Sequence, residues 1–361
     1  MFALVAKKGL GFVLTWNIWL ASQAYAQDVA SDKDIHSLVL YDSESAVRSF
    51  EKLTSSGSGI VSRVVLAQHT LSPEELVSLS RLPNIEILEL GVFPDPSRFS
   101  MDGLEIVGTL FRLRSLSVYG EDCEEIRTRA IKGLTGLEEL KLAGNGFVFG
   151  DEDVSVIGRL DKLHSLSLVG GFQCSNFQWM RALTNLRVLS LGSEGKFDGG
   201  KDVFLEANFP KLDVLDVRGI GRFGRDDAEH LARTSPNLRV LILSNVESGV
   251  LEVMGSFKQL EVLDLSFHDN VKIDLSSLIK LSSLKSLALE KASVVDDELR
   301  SVSGQLTLER MTVRGSELTT NSVNIVRSMP KIHRIQLVGN SNAQFVQAAF
   351  ENEIAKSRAA K

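Results

Sequence analysis

Two aspartates of this sequence could act together as an acid and a base. Asp216 and Asp264 are the fifth residues of the segments LDVLDV and LEVLDL, at positions 212–217 and 260–265. If both segments are strands of one parallel sheet with a single strand between them, the two aspartates lie about 9 to 10 Å apart. Carboxyl groups about 6.5 to 9.5 Å apart can hydrolyse a glycosidic bond with inversion. The sequence implies no enclosing pocket, so solvated polar side chains are the favoured interpretation.

A metal site is a second possible chemistry at this place in the chain. His268 and Asp269 follow Asp264 closely, so three potential ligands lie in one strand and its following turn. Their side chains would point in different directions, however, and no second group of ligands faces them. The sequence favours a polar turn at residues 269–270, and we expect neither a metal nor a cofactor.

Three arginines form the clearest charged group. Arg310 and Arg314 flank Thr312 in one segment, and Arg334 has the position of Arg310 in the next segment. We expect the three guanidinium groups to share one edge of the sheet. They could bind an acidic partner, because arginine forms two parallel hydrogen bonds with a carboxylate. A solvated charged face is the alternative.

The aspartates and the arginines belong to a repeat that runs through most of the chain. Leucine or another apolar residue occurs in the frame L-x-x-L-x-L in twelve segments, and its middle residue recurs every 22 to 28 residues between Leu88 and Ile335. Side chains alternate along L-x-L, so the leucines point into a core and the residues between them face solvent. A capping box at residues 72–75 and acidic starts at 226–227 and 296–297 predict short helices between the strands.

This frame and its spacing resemble the leucine-rich repeat family. The resemblance covers residues 61–340 and implies an α/β solenoid, or horseshoe, with a parallel sheet on the concave side and short helices on the convex side. The ends of such an array must be covered. Residues 27–60, with a strand-like run at 35–40, would form the N-terminal cap, and residues 341–361 a helical C-terminal cap and tail.

The frame also predicts which residues lie on the concave surface. One aligned apolar row could be a contact strip, or its neighbours could shield it; it contains Val188, Val214, Val240 and Val262. The full set of candidate binding residues on this surface is Val214, Asp216, Arg218, Val240, Ile242, Asp264, Arg310, Arg314 and Arg334.

The first 26 residues resemble a secretory leader. Lys7 and Lys8 precede an apolar stretch, and Ala24 and Ala26 give a small-x-small cleavage site before Gln27. The apolar stretch is shorter than the ~20 residues that span a bilayer. We therefore expect cleavage, a secreted or periplasmic protein, and no stable membrane insertion afterwards.

Charge and cysteine content narrow the partners and the compartment. A net charge of -6 disfavours binding to the phosphate backbone of a nucleic acid. Cys123 and Cys174 follow strands two repeats apart, where the backbones lie about 10 Å from each other, beyond the ~7 Å that a disulfide tolerates. Loop excursions could close that gap, so their pairing stays open.

A rigid, curved stack of strands offers a wide surface that needs little ordering on binding. The sequence therefore favours a non-catalytic module that binds a protein or peptide outside the cytoplasm. One alternative is a protein that binds or hydrolyses a cell-wall polysaccharide through Asp216 and Asp264. Another is a substrate adaptor of the F-box type, against which the leader argues.

Overall fold

The structure is a computed structural model of the chain. It describes residues 36–40, 61–66, 70–71, 77–82, 84–91, 97–99, 105–121, 131–197, 207–304, 307–314, 318–338 and 348. The predicted leader, most of both predicted caps and the capping box at residues 72–75 lie outside these ranges.

Strands recur once in every repeat, at the predicted frame. Those of the described residues are β1 (His36–Leu40), β2 (Val61–Leu66), β3 (Thr70–Leu71), β4 (Ile87–Leu90), β5 (Ser97–Phe99), β6 (Ser115–Glu121), β7 (Glu139–Phe149), β8 (Ser165–Phe172), β9 (Val188–Phe197), β10 (Val214–Ile220), β11 (Val240–Val246), β12 (Val262–Lys272), β13 (Ser286–Ser293), β14 (Arg310–Arg314) and β15 (Arg334–Val338). All of them except β3 and β5 pair in chain order, and each pairing is parallel. The predicted parallel solenoid sheet is confirmed.

The frame leucines form the core behind the sheet. In β8, buried and half-buried residues alternate over the whole strand, as expected when one face is covered. The middle leucines of consecutive repeats are register partners across β7 to β12 and are 0% exposed; they are Leu140, Leu166, Leu189, Leu215, Leu241 and Leu263. Each repeat therefore buries its leucines only because its neighbours cover them.

Short helices connect the strands on the other side of this core. Those that lie entirely within the described residues include α1 (Asp151–Ile157), α2 (Arg225–Thr234), α3 (Val250–Met254), α4 (Asp296–Ser301) and α5 (Ser322–Arg327), with 3-10 turns at Gln178–Ala182 and Ser276–Lys280. The predicted acidic starts of α2 and α4 are confirmed. At the start of α2, the Asp227 carboxylate accepts a 3.0 Å hydrogen bond from the Gly224 amide. No helix in the described ranges is long and apolar enough to cross a bilayer.

Several strands continue beyond the predicted frame. Strand β12 extends to Lys272 and pairs again with β13 after a register shift between Ser266 and Val271. The polar turn expected at residues 269–270 is therefore an irregular part of a strand, held by pairing with the next repeat.

Aromatic residues fill the core beyond these register shifts. The ring centroids of Phe149 and Phe172, from neighbouring repeats, lie 5.1 Å apart. Gly170 allows the same repeats to approach closely, because a Cβ atom there would lie 2.5 Å from the carbonyl oxygen of Phe147. Any larger residue would push the two repeats apart.

Candidate functional site

The candidate site lies on the open face of the sheet, opposite the leucine core. Register pairing defines three rows across β9 to β15. The leading row is Val188, Val214, Val240, Val262, Ser286, Arg310 and Arg334. The middle row is Ser190, Asp216, Ile242, Asp264, Ala288, Thr312 and Gln336. The trailing row includes Gly192, Arg218, Ser266, Glu290 and Arg314.

Asp216 and Arg218 form a two-point ion pair within β10. Arg218 Nε donates to Oδ1 of Asp216 at 3.0 Å, and the guanidinium Nη2 donates to Oδ2 at 3.0 Å. The two residues lie on one face because they are two positions apart on a strand. Only 7% of the Asp216 side chain and 19% of the Arg218 side chain are exposed. Both carboxylate oxygens of Asp216 are thus engaged, and the expectation of a solvated side chain is wrong for this residue, because it is buried in an ion pair.

Burial outweighs this pairing for the protonation of Asp216. Loss of solvent raises the pKa of Asp216 to about 6, the nearby Arg218 opposes the rise, and the negative charge of Asp264 adds to it. Desolvation acts in this direction because it disfavours the charged carboxylate.

Asp264 holds the equivalent position two strands away. Register pairing runs from Asp216 through Ile242 to Asp264, so the structure brings the two aspartates together as predicted. Asp264 is half-buried, and no described residue forms a hydrogen bond or an ion pair with it. Burial raises its pKa, Arg218 and Arg314 lower it through space, and Glu290 raises it.

The three predicted arginines separate into two places. Arg310 and Arg334 are Cα partners in the leading row, and both are exposed with no ion pair to a described residue. Arg314 lies in the trailing row, at the far end of β14, where its guanidinium is 3.6 Å from the Glu290 carboxylate. The expected shared edge of three arginines is therefore a pair, because Arg314 is four residues from Arg310 along the strand.

The valines of the leading row are half-buried. The frame position before them carries ion pairs between repeats: Arg239 Nε lies 2.8 Å from Oε1 of Glu261, and Lys285 Nζ lies 2.7 Å from Oε2 of Glu261.

Ile242, in the middle row, is only 6% exposed, so a partner could contact little of this side chain.

The structure tests neither the disfavoured metal site at His268 and Asp269 nor the open question of a disulfide between Cys123 and Cys174. The side chains of His268 and Asp269 lie outside the described set; within that set, no three His, Cys, Asp or Glu residues are grouped as metal ligands. Cys174 is buried, which raises the pKa of its thiol to about 11. Its possible partner Cys123 is not among the described residues.

Glu290 is a charged residue of this face that the sequence analysis missed. It lies in the trailing row between Ser266 and Arg314, two residues after Ala288. The repeat frame could have indicated Glu290, because Arg218, Glu290 and Arg314 each lie two residues after the middle-row residue of their own strand.

Comparison with known proteins identifies the fold only. No protein-family model and no curated protein matches the chain. An internalin from Listeria monocytogenes matches 81% of this chain and 94% of its own, with 16% identity and a TM-score of 0.52. A leucine-rich repeat protein of Leptospira interrogans matches 80% of this chain and 87% of its own, with 16% identity and a TM-score of 0.52. Together with the repeat frame and the parallel sheet, these matches show that the chain has the leucine-rich repeat fold.

Proposed function

We propose that the chain is a non-catalytic module that binds a protein or peptide through the open face of its sheet, outside the cytoplasm. The observation that carries the proposal is the pair Arg310 and Arg334. Register pairing puts these two exposed arginines directly opposite each other on neighbouring strands, and like charges at opposite positions weaken a sheet. A carboxylate of a partner would relieve that repulsion and form charge-assisted hydrogen bonds.

The remaining candidate residues extend this surface across the sheet. Val214 and Val240 provide half-buried apolar surface in the same row as the arginines, and Asp216, Arg218, Asp264 and Arg314 provide charge beside it. The backbone under all of them is fixed by parallel pairing, so a partner would order little of this chain on binding.

A glycosidase built on the two aspartates has less support. An inverting enzyme needs one protonated carboxyl to donate a proton and one ionised carboxylate to activate water. In this structure Arg218 occupies both oxygens of Asp216. Burial raises the pKa of both Asp216 and Asp264, so it does not make one carboxyl an acid and leave the other as a base.

Peptide selection on the purified chain tests the binding proposal. A displayed library of random peptides should yield binders rich in aspartate and glutamate. Their affinity should fall about tenfold or more for Arg310→Gln/Arg334→Gln, with a flatter dependence on salt, because the lost contribution is electrostatic.

The matched control is Arg159→Gln/Arg233→Gln, which removes the same charge from two exposed arginines on the helical side. It should bind like the parent chain. Peptides that bind the Arg310 and Arg334 variant as tightly as the parent at low salt would refute the arginine site.

Action outside the cytoplasm rests on the leader-like residues 1–26. Mass spectrometry of the protein isolated from its native host should find an N-terminus at Gln27. An intact leader on that protein would contradict this part of the proposal.

A further inference from the structure

Asp264 is a partly buried charged residue of the open face that has no hydrogen-bond partner among the described residues. Its carboxylate is half-buried and accepts no hydrogen bond from any residue in the described ranges. An ionised carboxylate can accept several hydrogen bonds. Leaving such a group without partners in a partly desolvated place costs free energy, which a ligand that donates to it would recover.

The two nearest arginines are already engaged elsewhere. Arg218 makes both of its short contacts with Asp216, and Arg314 lies 3.6 Å from Glu290. They affect Asp264 only through space. Three carboxylates therefore share two guanidinium groups: those of Asp216, Asp264 and Glu290, and those of Arg218 and Arg314. This cluster of five side chains carries one net negative charge when all of them are ionised.

We propose that Asp264 binds a lysine or arginine side chain of the partner, so that the open face recognises one basic and one acidic residue on the same segment. This inference rests on the proposed peptide-binding function and names the chemistry of the partner. The excess negative charge of the cluster attracts the base, and the exposed pair Arg310 and Arg334 attracts the acid.

The residues around Asp264 suit a long basic side chain. Its register neighbours are Ile242 on one side and Ala288 on the other, and Val262 lies two residues earlier on the same face. These side chains are apolar, and Ala288 is short. The methylene groups of a lysine or arginine can cross such a surface while the charged end reaches the carboxylate.

The spacing of the two charges sets the spacing expected in the partner. Arg310 is two strands away from Asp264 and two residues earlier in register. With strands about 4.8 Å apart and about 3.3 Å per residue, the two Cα atoms lie about 12 Å from each other. In an extended segment, residues four positions apart lie on one side at about 13 Å. The expected motif is thus a basic residue four positions from an acidic residue.

Selection of displayed random peptides on the full chain tests this motif. Peptides selected on the parent chain should share lysine or arginine four positions from aspartate or glutamate. Asp264→Asn should weaken their binding about tenfold to a hundredfold, the loss expected for a charge-assisted hydrogen bond. Replacing the basic residue of the peptide with glutamine should have the same effect on the parent chain, and little further effect on the variant.

Asp161→Asn is the matched control, since it removes an exposed aspartate from the side of the repeat away from the open face. Thermal unfolding followed by circular dichroism checks folding. Asp264→Asn should melt no lower than the parent, because burial already disfavours the charged form of Asp264.

The outcomes separate the two proposals. If the selected peptides require Arg310 and Arg334 but bind Asp264→Asn as tightly as the parent, the role of Asp264 is wrong and the binding function stands. Independent effects of Asp264→Asn and of the peptide substitution would also overturn it. If the parent chain selects no peptide, both proposals fail.

Discussion

The buried carboxyl of Asp216 should make the stability of the array fall as the pH rises. Its pKa is raised from 3.8 to about 6 in the folded chain, mainly by burial. The folded state therefore binds a proton more tightly than the unfolded state, and this stabilising contribution is complete below about pH 3.8. It is lost as the pH rises through 6. The difference of about 2 pKa units corresponds to about 3 kcal/mol of the free energy of unfolding.

Urea denaturation from pH 4 to 7.5, followed by circular dichroism, measures this effect. The parent is compared with Asp216→Asn, because the other titrating groups contribute equally to both proteins and their contributions cancel in the difference. One such group is Glu261, whose pKa is lowered by its contacts with Lys285 and Arg239. The free energy of unfolding of the parent, minus that of the variant, should decrease by about 2 to 2.5 kcal/mol as the pH rises from 4 to 7.5. Parallel profiles, or an increase, would refute the reasoning.

Arg218→Met gives an independent arm of the same experiment. Removing the guanidinium leaves a buried carboxylate without its cation, which should cost about 3 to 5 kcal/mol at pH 7.5. Because Arg218 opposes the rise in the pKa of Asp216, the pKa should rise further in this variant. The loss of stability should therefore be clearly smaller at pH 5, where Asp216 is protonated. A loss independent of pH would contradict the assigned cause.

The core and the contacts between repeats give two further predictions. Leu215→Ala removes a side chain that is 0% exposed and should cost about 2 to 5 kcal/mol; an unchanged urea midpoint would show that the frame is misassigned. Gly170→Ala should cost about 1 to 3 kcal/mol in the same assay, since its Cβ would lie 2.5 Å from the Phe147 carbonyl oxygen. Gly171→Ala is its control, because its Cβ would meet that oxygen at 3.7 Å, and equal losses in the two variants would exclude the close contact as the cause.

The sequence predicted what the repeat frame controls. The frame leucines, the parallel pairing and the equivalence of Asp216 and Asp264 follow from a period of one strand per repeat. The separation of Arg314 from Arg310 also follows from strand geometry, but the pairing of Arg314 with Glu290 depends on side-chain conformation. The low exposure of Ile242 likewise depends on the residues packed around it on neighbouring strands.

Strand length was the other part that the frame could not predict. Asp269 and Asn270 have the composition of a turn, and local preference alone favours one. In the structure the backbone of β12 pairs with β13 on both sides of these residues, and that pairing prevails over the local preference.

The stacking of each repeat on its neighbours also has a consequence for how the chain folds. In the described residues, side-chain hydrogen bonds between repeats join positions 22 to 28 residues apart, wherever they lie along the array. Parallel sheets whose strands come from distant segments fold slowly, because long loops must close before any contact forms. Here each step closes a loop of one repeat, so its entropic cost does not grow along the chain. Folding can start at any stable pair of repeats and spread in both directions. In a longer array, each added repeat would cost a similar free energy to order.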